Sequence, residues 1–419
     1  GTVLTSEDAG ISWTRQNGTI SEDTTWAVAD SPFQVVGHVI VASSTVLTIE
    51  PGAEIKFDGN KVLEVEGTLI ARGTSSDKIT FTSSAASPAA GDWGYIKFED
   101  SSTDATFDGN GDYVSGSIIE HVIVEYGGSY SSTSQISTID SASYVNTSTF
   151  TNNAGGSLNA NSNGIVSGLI ITNSIFTQNS GPSSILGQSN ATITGNSIIN
   201  SGAIEFNTGV TITDNVIINS TGGGGYRHGA INGSEWGAGT YLISNNQIRN
   251  GAAGIYVKIF GQSGQNLTIS NNIITGNSSS GIWITQEGGL TTDVYNITGN
   301  YIADNGGGVK IFSAASKVFV RYNRIHSNDT TNGSAIYLYD NNVAEHVFEY
   351  NTITGGVGTS LVYNDGGPHT FRYNNLDIGG ETYLLYNDDS VSNNSTLNYE
   401  NNWWGTTNTT NLDALIYDW

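Results

Sequence analysis

A chain of 419 residues with 14 basic against 38 acidic side chains carries a net charge of −24, so nucleic acids and anionic membrane surfaces are poor partners. It has no cysteine, which excludes a disulfide framework and thiolate metal sites, and no apolar run of the roughly 18 residues a membrane span needs. Gly, Asn, Ser and Thr dominate, 12% of residues are charged and 5 are proline, a turn-rich all-β composition.

Residues 1–32 fit no repeat. Trp13 and Trp26 stand among polar and acidic neighbours and predict an N-terminal cap, which a solenoid needs over its open first coil. The start at Gly1, without an initiator Met or signal peptide, leads to the expectation of a processed, secreted chain.

From Phe33 the pattern alternates: Leu47 and Ile49, Ile55 and Phe57, Leu63 and Val65, Ile79 and Phe81, Ile96 and Phe98, with polar or charged residues between. Apolar inward and charged outward describes a half-buried strand. Between Ser101 and Ser117 a loop carries Asp108, Asn110 and Asp112, oxygen ligands at the alternate spacing of a calcium loop. Its sixth position is Tyr113 instead of Gly and its twelfth is Ile119 instead of Glu, so a polar turn competes with a Ca2+ site. Residues 141–204 hold no Asp, Glu, Lys, Arg or His and offer no acid–base chemistry.

The span from Ser201 to Asp389 organises the chain. Triplets with mostly apolar ends start at Ile204, Ile231, Ile255, Ile282, Val309, Ile336, Leu361 and Leu384, 23 to 27 residues apart. A second register repeats at Asn196, Asn215, Asn246, Asn271, Asn300, Asn323, Asn351 and Asn374. Two short strands per repeat at this period predict a parallel β-helix, in which coils about 4.8 Å apart bury a continuous apolar column. Asn suits the corners, since it tolerates the left-handed conformation and its amides stack along the axis. Residues 33–400 make about fourteen coils in this reading, and 401–419, with Trp403, Trp404, Leu412 and Leu415, close them as a C-terminal cap with a short amphipathic helix.

The run Leu47-Thr-Ile-Glu-Pro-Gly-Ala-Glu-Ile-Lys-Phe57, with Gly67-Thr-Leu-Ile-Ala-Arg-Gly-Thr74, Ile79-Thr-Phe-Thr-Ser83, Gly91-Asp-Trp-Gly94 and Asn402-Trp-Trp-Gly405, resembles secreted right-handed parallel β-helix repeat proteins of bacterial and archaeal cell surfaces. Those belong to the pectate-lyase-like superfamily. The resemblance implies the right-handed fold. For function it implies either polysaccharide lyases and hydrolases or surface-layer, adhesive and filament proteins. The Asn-x-Asp, Asp-Asp, Gly-His and Arg-x-Lys order of the polygalacturonase-like enzymes is not matched, since Arg227-His228-Gly229 precedes Asp388-Asp389 by some 160 residues.

The middle residues of the triplets face outward when their neighbours face inward. They form a column Glu205, Asn232, Tyr256, Trp283, Lys310, Tyr337, Val362 and Leu385, beside a second column Asn207, Ser234, Lys258, Thr285, Phe312 and Tyr339. The result is an aromatic strip roughly 20 Å long containing two lysines. Such a strip stacks on sugar rings, forms a protein interface, or becomes a second small core under a loop. Tyr226 and Trp236, in the insertion 222–241, flank it. Arg321, Arg324 and His326 read as solvated rim charges on another face, and sequons such as Asn17, Asn146, Asn190, Asn266, Asn296 and Asn408 are no more than this composition scatters by chance.

The expected function is a non-catalytic extracellular scaffold, a surface-layer, sheath or filament-type subunit that self-associates or contacts cell-surface glycans. The alternative is a polysaccharide lyase or carbohydrate-binding module for a uronic-acid-containing glycan. In it Lys258 or Lys310 neutralises the carboxylate and Tyr337 or Tyr339 transfers the proton.

Overall fold

The computed structural model describes residues 4–8, 11–128, 136–138, 141–159, 168–187, 190–222, 229–235, 239–260, 264–287, 293–312, 316–328, 334–339, 345–388, 398–406 and 409–418. The chain forms two compact units, Gly1–Ile204 and Glu205–Trp419. Both are parallel β-solenoids built of short strands, and the chain makes about twelve turns where about fourteen were expected. The opening and closing segments add strands to the ladders.

In the first unit, Ile11–Ile20 already pairs in parallel with Phe33–Val41, and Thr24–Trp26 pairs with Val46–Ile49. The opening segment therefore carries ladder strands. Leu4–Asp8 runs antiparallel along Ile11–Ile20 and occupies its other edge, which removes a template for unwanted pairing. Phe33–Val41 bends so that its first residues pair with Glu54–Phe57 and its last with Leu63–Val65. Burial alternates as the sequence pattern requires, with Leu47, Ile49, Ile55, Phe57, Leu63 and Val65 inside. Phe57 stacks on Trp93 at 4.3 Å and Phe150 on Phe176 at 5.0 Å.

The charge-free coils of this unit hold together through small buried polar residues. Asn153 Nδ2 donates to Asn179 Oδ1 at 3.0 Å, and Asn179 Nδ2 donates to Ser201 Oγ at 3.3 Å. The backbone N–H of Ser148 reaches Ser174 Oγ, and that of Ser174 reaches Asn196 Oδ1. The last two bonds each satisfy a backbone N–H that a corner would otherwise bury unpaired, and the first two tie neighbouring side chains together.

In the second unit the corner uses two consecutive residues. Asp214, Asn245, Asn271, Gly299, Tyr322, Tyr350, Tyr373 and Asn401 have φ between 55° and 67°, the left-handed turn. The residues that follow, Asn215, Asn246, Asn272, Asn300, Asn323, Asn351, Asn374 and Asn402, form one continuous amide ladder. In each step an Nδ2 donates to the next Oδ1 at 2.9 to 3.1 Å. The sequence reading took Asn271 for a ladder member. Asn271 is the left-handed corner and Asn272 is the rung, because the two roles fall on neighbouring positions and both suit Asn.

At the C-terminal end Thr409–Leu415 is helical, and Ile416–Asp418 adds a parallel strand to Tyr383–Asn387. Leu412 and Leu415 are half-buried and Trp403 is exposed.

Candidate functional site

The strands Gly229–Glu235, Ala253–Phe260, Ser280–Glu287, Gly307–Phe312, Ile336–Tyr339, Ser360–Asp365, Tyr383–Asn387 and Ile416–Asp418 stack in parallel. Their register gives a first outward column of Asn232, Tyr256, Trp283, Lys310, Tyr337, Tyr363, Tyr386 and Tyr417. The expected members Val362 and Leu385 are core residues. Val362 pairs with Ile336 and not with Tyr337, since Leu361, the apparent start of its triplet, is itself buried one position earlier. From Tyr256 to Tyr417 the strip runs six steps, roughly 29 Å at one strand spacing each.

The second column reads Ser234, Lys258, Thr285, Phe312, Tyr339 and Asp365. Asp388 extends it, directly after Asn387, which pairs with Asn364. The strip is covered at one end, where Asn232 and Tyr256 are buried, and half-exposed from Trp283 onward. Tyr226 and Trp236, expected beside it, lie outside the described residues.

Ring geometry changes what the strip can bind. Tyr337 and Tyr363 stack at 4.8 Å and 9°, Tyr363 and Tyr386 at 5.5 Å and 9°, Tyr386 and Tyr417 at 4.4 Å and 12°, and Phe312 and Tyr339 at 4.6 Å and 8°. Faces that cover one another cannot also cover a sugar. The tyrosines therefore present phenol edges, a row of hydrogen-bond donors and acceptors, instead of stacking platforms.

Lys310 is the exception in the row. Its Nζ lies 4.4 Å from the Trp283 ring centre, 5.0 Å from that of Tyr337 and 5.9 Å from that of Phe312. Among the described residues no carboxylate is within ion-pair reach of it. Burial among the rings lowers its pKa from the usual lysine value. Attraction to the ring faces offsets part of the lost hydration, on the order of 1 kcal/mol each.

The carboxylates gather further along. Tyr363 Oη donates to Asp388 Oδ2 at 3.0 Å. Burial first, then this bond and the charges of Asp388 and Asp365, push the Tyr363 phenol well up. Tyr337 is raised as well, by burial and then by Asp365. Both phenols stay protonated through the neutral range. Lys258 and Tyr339 share the face with Lys310 and Tyr337, Lys258 two turns before the Phe312 rung.

Asp108, Asn110, Asp112, Arg321, Arg324 and His326 stand outside the strands of the strip. Asp108 Oδ1 accepts the backbone N–H groups of Asn110 at 2.8 Å and Asp112 at 2.9 Å, closing a turn between the antiparallel strands Thr106–Phe107 and Tyr113–Ser115. Those bonds hold its carboxyl below the usual range. Among the described residues no group of three His, Asp or Glu side chains converges as a metal site. Arg321 and Arg372 both pair with the buried Glu349, bridging three turns. His326 Nε2 lies 2.6 Å from Tyr301 Oη.

Sequence reasoning missed Tyr363, Asp365, Tyr386, Asp388 and Tyr417. The distance from a ladder asparagine to its column residue varies, 10 from Asn300 to Lys310, 14 from Asn323 to Tyr337 and 12 from Asn351 to Tyr363, so counting from the ladder does not place them.

Parallel turns, amide-laddered corners and a solvent-facing polar strip define a β-helix protein. Residues 229–398 match the right handed beta helix region and residues 18–140 the pectate-lyase like beta helix domain, so these two stretches are right-handed β-helix domains. No curated protein sequence matches it. Among solved structures it is similar to a mutant of the periplasmic alginate epimerase AlgG, with 12% identity over 93% of this chain and 85% of that one, at a TM-score of 0.48. It is also similar to the A-module of the mannuronan C-5 epimerase AlgE6 of Azotobacter vinelandii, with 12% identity, 94% and 91% coverage and a TM-score of 0.30. A third is the GH136 lacto-N-biosidase of Eubacterium ramulus, with 12% identity, 86% and 62% coverage and a TM-score of 0.29. These neighbours are carbohydrate-related by name, and the likeness to them is one of fold. No helix among the described residues is long and apolar enough to cross a membrane.

Proposed function

We propose that the strip of the second unit binds an acidic polysaccharide, with a uronic-acid carboxylate seated on Lys310. The observation that carries this is the lysine itself: a cation partly buried among three rings, with no carboxylate partner among the described residues. Desolvating a charge without a counter-ion is costly, and a bound carboxylate removes that cost. The phenol row and the carboxylates beyond it suit the hydroxyls of the rest of the chain. An extracellular or periplasmic setting goes with this reading.

The test is binding of uronate-containing and neutral oligosaccharides by calorimetry. Lys310→Met should weaken the uronate ligand by at least about tenfold and Lys310→Arg by less, as expected for a charge-assisted hydrogen bond. Equal binding by wild type and Lys310→Met would defeat the proposal.

Tyr337 favours a second reading, lyase chemistry at the same place. In a β-elimination a base takes the C5 proton, the C5–H electron pair forms the C4=C5 double bond as the C4–O bond breaks, and the departing oxygen takes a proton from an acid. Tyr337, held protonated beside Lys310, is suited to supply that proton. A rise in ultraviolet absorbance on incubation with the bound glycan separates cleavage from binding. The assembly role expected from bare aromatic faces has less support, because those faces lie against neighbouring rings.

A further inference from the structure

The strip is graded in charge along its length. Its cations, Lys258 and Lys310, stand on Ala253–Phe260 and Gly307–Phe312, whereas its carboxylates, Asp365 and Asp388, fall two and three turns beyond Lys310. At one strand spacing per turn those carboxylates are about 10 and 14 Å from Lys310 along the ladder. Both act on the tyrosines between: Asp365 and Asp388 each bear on Tyr337 and Tyr363. Neither neutralises Lys310, whose environment is shaped by burial among rings.

This gradient rests on, and sharpens, the acidic-glycan reading. We infer that the strip selects a heteropolysaccharide in which a uronic acid is followed by neutral sugars, and that Asp365 and Asp388 reject polysaccharides made of uronic acid alone. A chain lying along the column with one carboxylate on Lys310 passes its following units over the phenols of Tyr337, Tyr363 and Tyr386 and beside Asp365 and Asp388. Neutral sugar hydroxyls donate to those carboxylates and accept from the phenol of Tyr337, while the Tyr363 hydrogen stays on Asp388. A second and third uronate in the same places meet like charge in a partly buried groove, where salt screens poorly. The net charge of −24 adds a general bias against a polyanion.

The experiment compares two oligosaccharides of equal length, one built entirely of uronic acid and one with a single uronic acid per repeat, at fixed ionic strength with a chelator to remove bridging cations. Wild type should bind the mixed ligand at least about tenfold more tightly. The double variant Asp365→Asn with Asp388→Asn should bind the all-uronate ligand about tenfold more tightly than wild type does, and the ratio of mixed to all-uronate affinity should fall by at least about tenfold. Because Asp365 is buried, Asp388→Asn alone, half-exposed, is measured as well and should show part of the same recovery. Equal wild-type binding of both ligands, or no recovery in either variant, overturns the inference. Lys310→Met keeps the two ideas apart. If it leaves mixed-ligand binding intact, the acidic-glycan reading fails; if it abolishes that binding while wild type takes both ligands equally, the selectivity alone fails.

Discussion

Replacing Asn300 by leucine should remove about 1–4 kcal/mol of stability although the charge is unchanged. Asn300 Oδ1 accepts from both the backbone N–H and the side-chain Nδ2 of Asn272, each at 2.9 Å. Its Nδ2 donates to Asn323 Oδ1 at 2.9 Å, Ile269 O at 3.0 Å and Thr298 O at 3.2 Å. Leucine leaves the Asn272 backbone N–H and the Ile269 carbonyl without these partners in a buried corner, at about 1–3 kcal/mol for each orphaned group. Burial of the leucine returns about 1–2 kcal/mol of that. The control is Asn245→Gly, also a corner asparagine but exposed and at φ 58°, which should shift stability by only a few tenths of a kcal/mol. Urea unfolding measures the global effect. Because solenoid stability is local, amide exchange at Asn272 measures it turn by turn and should accelerate in the leucine variant. A loss below about 0.5 kcal/mol, or unchanged exchange at Asn272, would show that the ladder accompanies the fold without stabilising it.

Two further perturbations have calculable signs. His346 and His369 are buried and stacked at 4.9 Å, and burial, then the Lys317 charge, lowers the His346 pKa to about 3. The folded value lies below the unfolded one of about 6.5, so protons bind preferentially to the unfolded chain. The stability contributed by neutral His346 is present above about 6.5 and is lost as pH falls toward about 3, on the order of 3 kcal/mol by pH 4. His346→Asn should flatten the stability-against-pH curve between those values, and an unchanged slope would contradict the assignment. Tyr322, Tyr350 and Tyr373 sit at φ 57° or 58° in an exposed stack with ring centres 5.2 and 5.3 Å apart. Left-handed strain of about 1–2 kcal/mol opposes about 0.5–1.5 kcal/mol per ring contact. Tyr322→Asn, losing one contact, should be neutral or slightly stabilising, and Tyr350→Asn, losing two, should destabilise by up to about 1 kcal/mol; the reverse ranking in thermal melts would refute this balance.

The fold was legible because period and alternation are backbone properties repeated many times over, and the strands from Val46 to Phe98 fall where their alternating residues put them. Register was harder. Asn271 and Asn272 are chemically alike, and nothing local states which one turns the corner. Leu361-Val362 offers two buried apolar residues in one strand, of which Val362 takes the ladder position opposite Ile336 and Leu385. That one-residue ambiguity hid Tyr363 and Tyr386, since a shift by one position exchanges inside and outside. Ring orientation was not legible at all. Sequence shows that aromatics share a column, but not whether they offer faces or edges.

The two-residue corner also frees the chain from counting. Successive ladder asparagines are separated by 31, 26, 28, 23, 28, 23 and 28 residues, yet each resumes the same bond to its neighbour. A left-handed residue followed by an amide resets the path at every turn, so extra length gained between corners is discarded into a loop and never passed on to the next rung. Insertions and deletions can therefore resculpt the rim of the groove while the spacing between Lys310, Asp365 and Asp388 stays fixed by the strands beneath them.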